Sequence, residues 1–536
     1  MKKLPYYGVY ETFGNLFGYK LPQETLKLYI QKVPLGGVLN VLSQITALPL
    51  DNKKTKISFM KFLEDMFPGQ YIKEPKIQSD VIYSKQGLLA VWKWLLAHGN
   101  LEHLEKEVII ENGINIVLFF NLIVSDYLND SRINANNIKY ELFANAVFNT
   151  EPELGSSLAR SMLIFDEISK DPENFHSNDY IDIHTPFRQA YGYSIKEYLS
   201  VIFALFAGFS KRENDGVSQN WAKPSDYFQN SPLAAIAELI IDELSMNFEE
   251  AREWSLLTID QPWNYTKFRQ KPILKLANGI FFPIDLQFLQ EKVFSELYFK
   301  IRSTFPANNT QVISFYGKCF EKYVEKLAEH SASESKLPYR FVPEFQYDSN
   351  SKRSPDALIR LNNSMLAIEA KVYRLKMDSL IGGIDSSDVI EEDIERMAIK
   401  PIKQLHDRVS ELIDRNHDAF VGVEKLYFIS VTFGEFPTLK PFELQIDEAL
   451  QEVFQIPIAY HFHLDIEEFE LLMELISRAN AKPVFKILEN KNTEELTKYM
   501  PFKNYLFRGS FRPKRSTFIQ NQLNSILEEF SEIVSP

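Results

Sequence analysis

The chain has 536 residues, 45% of them hydrophobic and 24% charged, which is enough for two or three globular domains and excludes a disordered chain. A single cysteine excludes an internal disulfide framework and a cysteine-rich zinc site. The formal net charge of −13 argues against a protein that coats itself in nucleic acid, so such contact would need a locally basic surface or bound metal ions.

Residues 1–265 are predicted to form a mainly helical domain. Apolar residues recur at spacings of three and four in segments such as 88–108 and 194–209, which is typical of helices that pack on a core. A polar, turn-rich stretch at 210–226 predicts a linker or a long loop. Because this half carries no phosphate loop and no metal-ligand spacing, we expect it to be a sensor, or a surface for homo-oligomerisation or a protein partner.

The sequence gives no sign of a membrane segment. No stretch is apolar over the roughly 20 residues that a helix needs to cross a bilayer. The N-terminal segment has two lysines but lacks the apolar region of a secretory signal. We therefore expect a soluble protein of the cytoplasm, which is compatible with its single cysteine, and no membrane partner.

Residues 266–310 are interpreted as a lead-in to the next domain. Two short strands flank an Asn278-Gly279 turn, and an amphipathic helix follows at 286–302. The change from helical periodicity to a strand–turn–strand pattern places the predicted boundary near residue 265.

Residues 311–475 alternate between helical and strand patterns. A helix at 312–330 precedes three strands, which are followed by a helix at 399–415 and a strand at 424–435. This order predicts an α/β core around a central mixed sheet, which makes the whole chain an α+β multidomain protein. An acidic insertion at 377–395 is expected to be a solvated loop or a lid, and residues 476–536 form a partly basic C-terminal segment. The three strands are predicted at 339–347, 355–361 and 365–373.

The second and third of these strands are predicted to form a hairpin whose turn is Asn362-Asn363, because asparagine tolerates the positive φ that such turns require. The resulting register collects apolar residues on one face and Asp356, Glu369 and Lys371 on the other, whereas a slip of one residue would mix the two sets. Outward from the turn, the register pairs Leu361 with Ser364, Ile359 with Leu366, Ala357 with Ile368 and Asp356 with Glu369.

Opposed carboxylates in this register require compensation. Directly opposed residues have Cβ atoms roughly 5 Å apart, and two carboxylates at that distance repel each other. Mg²⁺, or Mn²⁺ in its place, would relieve the repulsion between Asp356 and Glu369, since hard cations prefer carboxylate and phosphate oxygens. Lys371 points to the same face and can stabilise charge on a phosphate or orient a water molecule. The alternative is an acid–base cluster on a solvated sheet face.

These residues, Pro355-Asp356 followed by Glu369-Ala370-Lys371, resemble the PD-(D/E)XK, or restriction-endonuclease-like, nuclease superfamily. The resemblance covers about residues 311–440. It implies that Asp356 and Glu369 ligate the metal and that Lys371 acts near the attacking water. The implied activity is metal-dependent endonucleolytic hydrolysis of phosphodiester bonds.

The resemblance favours DNA over RNA as the nucleic-acid substrate, because most enzymes of this kind cut DNA. Phage defence or restriction is an expected setting. An RNA-cleaving nuclease, or an inactive nuclease fold that serves in nucleic-acid binding or assembly, is the alternative.

Two helices of the predicted core carry further candidates. Many members of the superfamily have an acid on the first core helix, which here implies Glu321 as a third metal ligand, with Glu325 one turn later as the competitor. Many also carry a polar residue on the second core helix near the active face. Gln404 fits that place as a catalytic residue, with Lys403 as the competitor.

Two other segments carry candidate binding residues. His461 and His463 share one face of a predicted strand and could bind zinc, although the pattern is better explained by a strand that runs into a helix.

Residues 498–515 interleave cations with aromatics and contain no acid, which predicts contact with phosphates and bases. The alternative is an edge strand or docking segment with core aromatics. The predicted nucleic-acid-binding residues are Lys503, Arg508, Arg512, Lys514 and Arg515.

Overall fold

The chain is described from a computed structural model that covers residues 9–48, 50, 52–73, 80–104, 111–128, 132–149, 153–210, 217–218, 220–349, 352–478, 482–509 and 511–534. It folds into two compact units. Unit 1 comprises Met1–Asn134, Glu197–Lys292 and Ile533–Pro536, and unit 2 comprises Ala135–Lys196 and Val293–Glu532. Among the helices described, none is both long and apolar enough to cross a membrane.

Unit 1 is mainly helical, as predicted. Its core contains the apolar helices Leu35–Ala47, Lys85–His98 and Gly113–Ser125, in which most side chains are buried. A short parallel strand pair, Val9–Tyr10 with Asp80–Val81, and a three-stranded sheet of Ser245–Met246, Ile273–Lys275 and Phe281–Pro283 complete it. The helices are Phe13–Phe17, Gln23–Lys32, Leu35–Ala47, Asn52–Met66, Lys85–His98, Gly113–Ser125, Ile195–Phe209, Ala234–Leu244, Phe248–Thr258, Thr266–Gln270 and Leu286–Glu291.

Unit 2 is built on a five-stranded mixed sheet. Its labelled elements, in chain order, are α1 (Leu154–Met162), α2 (Thr310–Glu334), β1 (Arg340–Pro343), β2 (Ala357–Leu361), β3 (Ser364–Lys371), α3 (Lys400–Asp414), β4 (Lys425–Thr432), α4 (Lys440–Gln451), β5 (Tyr460–Asp465), α5 (Ile466–Ser477), α6 (Phe502–Arg508) and α7 (Thr517–Val534). The strand order is β5-β4-β3-β2-β1. β3, β4 and β5 are parallel, and β2 is antiparallel to both β1 and β3. The predicted α/β order with a central mixed sheet is confirmed at this level.

Helices cover both faces of this sheet. On one face α3 buries Leu405 and Val409 in a cluster with Met365 and Ala367 of β3. On the other face lies α2, where a Cβ at Gly317 would be in ordinary van der Waals contact, at 3.9 Å, with the side chain of Val372, the residue after β3. The solvated sheet face considered as an alternative for the acidic hairpin is therefore wrong, because both faces are buried under helices.

The remaining helices of unit 2 surround this sandwich. The α-helices are Ile138–Phe148, His184–Tyr191, Ser295–Arg302, Met377–Ile381, Ser387–Ile394, Val484–Thr493 and Glu495–Lys498. A π-helical turn, Leu163–Glu167, continues α1, and a second one, Glu395–Ile399, runs into α3. Short 3-10 turns connect several of these elements.

The two units follow different boundaries from those predicted at residues 265 and 310. Residues 135–196 belong with the sheet of unit 2, whereas 266–292 belong with the helices of unit 1. The buried Arg160 of α1 binds Glu470 of α5 at 2.7 Å, which ties the first of these segments to the α/β core. Helical periodicity shows that a face is buried but not which core buries it, so this division could not be read from the pattern. Residues 211–216 and 219 of the predicted break lie outside the described residues.

Two local predictions in the α/β core need correction. The strand expected at 339–347 ends at Pro343 and resumes as Gln346–Tyr347, which pairs with Lys352–Arg353 in a separate ribbon. Proline lacks the N–H that would continue the ladder. The insertion at 377–395 is helical and packed rather than a solvated loop, since Ile390 and Ile394 are buried in the α3 cluster and Asp393 is fully buried.

Candidate active site

The hairpin of β2 and β3 has the predicted register. Leu361 pairs with Ser364, Ile359 with Leu366, and Ala357 with Ile368. Asn362 in the turn takes a φ of 56°, the left-handed conformation that asparagine tolerates. The next pair outward would be Asp356 and Glu369, which places the two carboxylates at the carboxyl end of β3.

Asp356 lies one residue before β2 and is 7% exposed. Its Oδ2 accepts a hydrogen bond of 2.7 Å from the backbone N–H of Ala370, which holds the carboxylate against β3. Burial raises the pKa of Asp356 well above the usual range of an aspartate, and the Glu369 and Glu321 carboxylates raise it further, while Lys371 opposes them. The environment of Asp356 therefore disfavours its charged form.

Glu369 is fully buried and both of its carboxylate oxygens are paired. Lys371 Nζ donates to Oε1 at 2.5 Å, and Arg408 Nη1 donates to Oε2 at 2.7 Å. Such charge-assisted hydrogen bonds offset the large desolvation penalty of a buried carboxylate. The predicted trio of Asp356, Glu369 and Lys371 is thus assembled in one place, and Arg408 of α3 joins it.

Glu321, the acid predicted on the first core helix, is half-buried on α2. Burial raises its pKa, Lys318 and Lys371 lower it, and the Glu344 and Glu369 carboxylates raise it. Glu321 therefore interacts electrostatically with the trio, whereas the competitor Glu325 forms an ion pair with Lys322 at 2.9 Å. Of the two acids, Glu321 is the one that belongs electrostatically to the cluster.

On α3 the contact with Glu369 is made by a residue that sequence reasoning missed. Among the described residues, Gln404 forms no hydrogen bond to the trio, and Lys403 lies 3.8 Å from Glu395. Arg408 follows Gln404 by four residues and therefore lies on the same helix face. That spacing was the signal that could have found it. Gln404 lies one turn from the contact and keeps its place as a candidate only through the resemblance.

Polar side chains on the same face extend the cluster across β4 and β5. The ladder places Glu369 beside Ser430 and then His463, and Lys371 beside Thr432 and then Asp465. Ser430 is fully buried, and its Oγ has no hydrogen-bond partner among the described residues. A buried hydroxyl without a partner costs free energy unless a water molecule or ligand satisfies it. Polar residues at alternate positions of β4 were the sequence signal for this row.

The two histidines of β5 are paired with acids of α4 rather than placed as zinc ligands. His461 Nε2 lies 3.1 Å from Asp447, and His463 Nε2 lies 3.0 Å from Glu443. Burial lowers the pKa of His463 but Glu443 outweighs it, so the pKa is raised. The favoured explanation, a strand running into a helix, agrees with the structure, because Asp465 caps α5 through a 2.8 Å bond from Glu468 N–H.

The predicted nucleic-acid-binding cations divide into two classes. Lys503 Nζ lies 3.1 Å from Glu467, and Arg515 Nε donates to Glu153 at 2.6 Å, so both are engaged in ion pairs. Arg508, Arg512 and Lys514 are exposed. The segment is not an edge strand, since α6 occupies its middle and Phe502 is buried there.

The donor chemistry of the cluster fits a divalent cation in part. In the described chain no group of three or more histidine, cysteine, aspartate or glutamate side chains is arranged to hold a metal ion. Mg²⁺ is commonly bound by one or two carboxylates together with waters and substrate phosphates rather than by a protein cage. Asp356, with its excess of neighbouring carboxylates, and Glu369 are the two donors that suit such a site, and the unsatisfied Ser430 hydroxyl beside them suits a water of hydration.

Comparison of the sequence with protein-family models and with curated proteins gives no match. The geometry and electrostatics of the cluster are therefore the basis for a function. The resemblance to PD-(D/E)XK nucleases stays a hypothesis about this chain.

Proposed function

We propose that unit 2 is a metal-dependent nuclease that hydrolyses phosphodiester bonds, with a core of the PD-(D/E)XK type. One observation carries the proposal. Asp356, Glu369 and Lys371 converge at the carboxyl end of β3, where Asp356 has a raised pKa because burial and two further carboxylates disfavour its charge. A buried excess of carboxylates destabilises a fold, and a bound cation with a substrate phosphate is the chemistry that relieves it.

In this proposal Asp356 and Glu369 hold Mg²⁺ or Mn²⁺, with Glu321 as the third acid near the site. When bound, the ion lowers the pKa of water and offsets negative charge on the phosphate. Lys371, which is 19% exposed beside Glu369, orients the attacking water and donates to a phosphate oxygen as charge develops there. Arg408 has further N–H donors beyond the one that binds Glu369, and these can hold a non-bridging phosphate oxygen.

A second candidate function is a nuclease-fold module that binds nucleic acid without cutting it. The observation that favours it is the full pairing of Glu369, whose two oxygens are occupied by Lys371 and Arg408. A metal ion would have to share Glu369 with these two cations. An active enzyme would use the remaining lone pairs of Glu369 for the metal, or Arg408 or Lys371 would exchange Glu369 for the substrate phosphate.

A cleavage assay separates the two functions. Supercoiled DNA, single-stranded DNA and structured RNA are incubated with the full chain in Mg²⁺, Mn²⁺ or EDTA. The proposal expects metal-dependent cutting that Asp356→Ala, Glu369→Ala and Lys371→Ala abolish. Glu325→Gln is the matched control, because it removes an acid of α2 that is paired outside the cluster.

Cutting that survives both Asp356→Ala and Glu369→Ala would contradict the proposed site. Tight binding of nucleic acid without cutting under any of these conditions would favour the binding module. DNA is the expected substrate, and preferential cutting of the RNA would identify the chain as a ribonuclease that uses the same residues.

A further inference from the structure

Unit 2 contains a second feature that the proposed chemistry does not use, a cavity of about 560 Å³ between α1, α5, α6 and the start of α7. Its volume lies within the range of pockets that hold small molecules or single nucleotides. The groups that decide its chemistry are Glu153, Glu467, Glu470, Lys503, Lys514 and Phe507.

The carboxylates of the cavity are neutralised by cations. Glu470 and Glu467 face Arg160 and Lys503, and Glu153 is bound by Arg515. Burial raises the pKa of Glu153, but hydrogen bonds from Arg515 and from Ser156 outweigh it and set the pKa at about 2. Glu153 therefore stays ionised, and all three acids are paired with cations, so they do not repel an anion as free carboxylates would.

Lys514 is the cation in excess at this cavity. Three carboxylates are matched by Arg160, Lys503 and Arg515, and Lys514 has no hydrogen bond or ion pair within the described residues. It is exposed at the rim. A single free ammonium beside neutralised walls suits one phosphate group.

Phe507 supplies an aromatic surface at the same rim. It is 59% exposed, and no ring or cation lies against it among the residues described. By contrast Phe502 of the same helix is buried and packs on Tyr505. A large exposed phenyl ring next to a free lysine matches the pairing of base stacking with phosphate contact by which proteins bind single strands.

The cavity lies at the same end of the sheet as the candidate active site. Asp465 at the end of β5 is two strands from Lys371 in the ladder, a distance of about 10 Å. Asp465 also raises the pKa of Lys503, which lines the cavity, so the two groups are close. Lys371 and the cavity are thus within reach of one bound strand.

We propose that this cavity binds an unpaired nucleotide of a single-stranded nucleic acid, with Phe507 stacking on the base and Lys514 contacting the adjacent phosphate. This inference about the cavity rests on the proposed nuclease function, because it takes a nucleic acid as the ligand. It makes single-stranded segments the preferred substrate, because a base within a duplex is already stacked and cannot lie on Phe507.

The test measures binding rather than cutting. Fluorescence anisotropy in EDTA gives the Kd of the full chain for a labelled oligo-thymidine strand and for a duplex of equal length, over a series of salt concentrations. Phe507→Ala is expected to weaken single-strand binding by about 5- to 150-fold and to leave duplex binding unchanged. Phe507→Trp is expected to restore it.

Lys514→Ala is expected to reduce the slope of log K against log salt for the single strand by about 0.7, the value for one phosphate contact. Lys336→Ala, an exposed lysine elsewhere in unit 2, is the matched control and should leave the slope unchanged. Because Phe507 and Lys514 are exposed, the circular dichroism spectrum should be the same for every variant.

Equal binding of single strand by wild type, Phe507→Ala and Lys514→Ala, or no binding at all, would overturn the proposal. The outcome is separable from the nuclease question. Binding that depends on Phe507 without metal-dependent cutting would contradict the proposed nuclease activity and support the nucleotide-binding cavity. Metal-dependent cutting that neither Phe507→Ala nor Lys514→Ala changes would support the nuclease activity and contradict the role of the cavity.

Discussion

Two charged clusters lie on the same face of the unit 2 sheet, and they are built differently. At β5 each histidine faces one acid, His461 with Asp447 and His463 with Glu443. At β2 and β3 both Lys371 and Arg408 are directed at Glu369, and Lys318 lies 3.9 Å from Glu321. Each histidine therefore has an acid partner, whereas Asp356 is buried beside two further carboxylates and forms no ion pair among the described residues.

Under the proposed function, this difference separates a structural cluster from a chemical one. In a buried ion pair each charge offsets part of the desolvation penalty of the other. An excess of buried carboxylates is tolerated where binding a cation or substrate compensates for it, which is why such perturbed groups concentrate at functional sites. The comparison supports our proposal that Asp356 and Glu369, rather than the two histidines, carry the chemistry.

The largest expected effect is on cleavage rate. Lys371→Met is expected to lower the rate of phosphodiester cleavage by about 10²-fold or more, because it removes a donor to the developing charge. His461→Gln and His463→Gln are expected to change it by less than about threefold. Initial rates measured at saturating substrate test this contrast, and equal losses at the two clusters would remove the distinction between them.

The second effect is on the stability of unit 2. Glu369→Ala is expected to lower the free energy of unfolding by about 3–5 kcal/mol, because Lys371 and Arg408 lose the carboxylate that both cations bind. Differential scanning calorimetry of the full chain should show this as a lower melting temperature for one transition. Glu411→Ala, which removes an acid of the same region that pairs with Lys352 and Arg415 near solvent, is the control and should lower the melting temperature much less.

The third expected effect is a gain in thermal stability. Asp356→Asn is expected to raise the melting temperature near neutral pH, because the raised pKa of Asp356 means that folding disfavours its charged form. That contribution is fully present below the unfolded pKa of about 3.9 and is lost as pH rises through the folded pKa. The melting temperature of the wild type minus that of Asp356→Asn should therefore grow more negative as pH rises. A difference that does not change with pH would contradict the raised pKa of Asp356.

The smallest effect concerns His463, whose raised pKa reflects its pair with Glu443. A histidine with a raised folded pKa contributes stability below its unfolded pKa of about 6.5, and this is lost as pH rises through the folded pKa. His463→Gln should remove that dependence in a window that starts higher than the one for Asp356. Two-dimensional NMR of the imidazole provides the titration directly, and a pKa below 6.5 would refute the pairing.

The alternation of apolar and polar residues in the sequence predicted the part of the site that depends on the pairing of β2 with β3. The register of β2 and β3 followed from alternation and a two-residue turn, because a slip would have moved every apolar residue of one face to the face that carries Asp356, Glu369 and Lys371. The helices α2 and α3 followed from their apolar stripes. The trio of Asp356, Glu369 and Lys371 lies within sixteen residues of sequence, so one hairpin brings it together.

The rest depends on partners that are distant in the sequence. Arg408 reaches Glu369 from another helix, and Arg515 is neutralised by Glu153 across 362 residues. No periodicity encodes which cation meets which acid, so the basic segment was expected to be freer than it is. The domain boundaries predicted at residues 265 and 310 differ from those of the two units for the same reason, since the buried pair of Arg160 and Glu470 spans 310 residues.

Binding of a divalent cation by Asp356 and Glu369 can be tested without turnover, by electron paramagnetic resonance of Mn²⁺. The full chain is titrated with Mn²⁺, alone and with a non-cleavable oligonucleotide. We expect a bound-ion signal that Asp356→Asn and Glu369→Gln abolish and that His463→Gln leaves intact. A signal that persists in both carboxylate variants, or that disappears with His463→Gln, would contradict it.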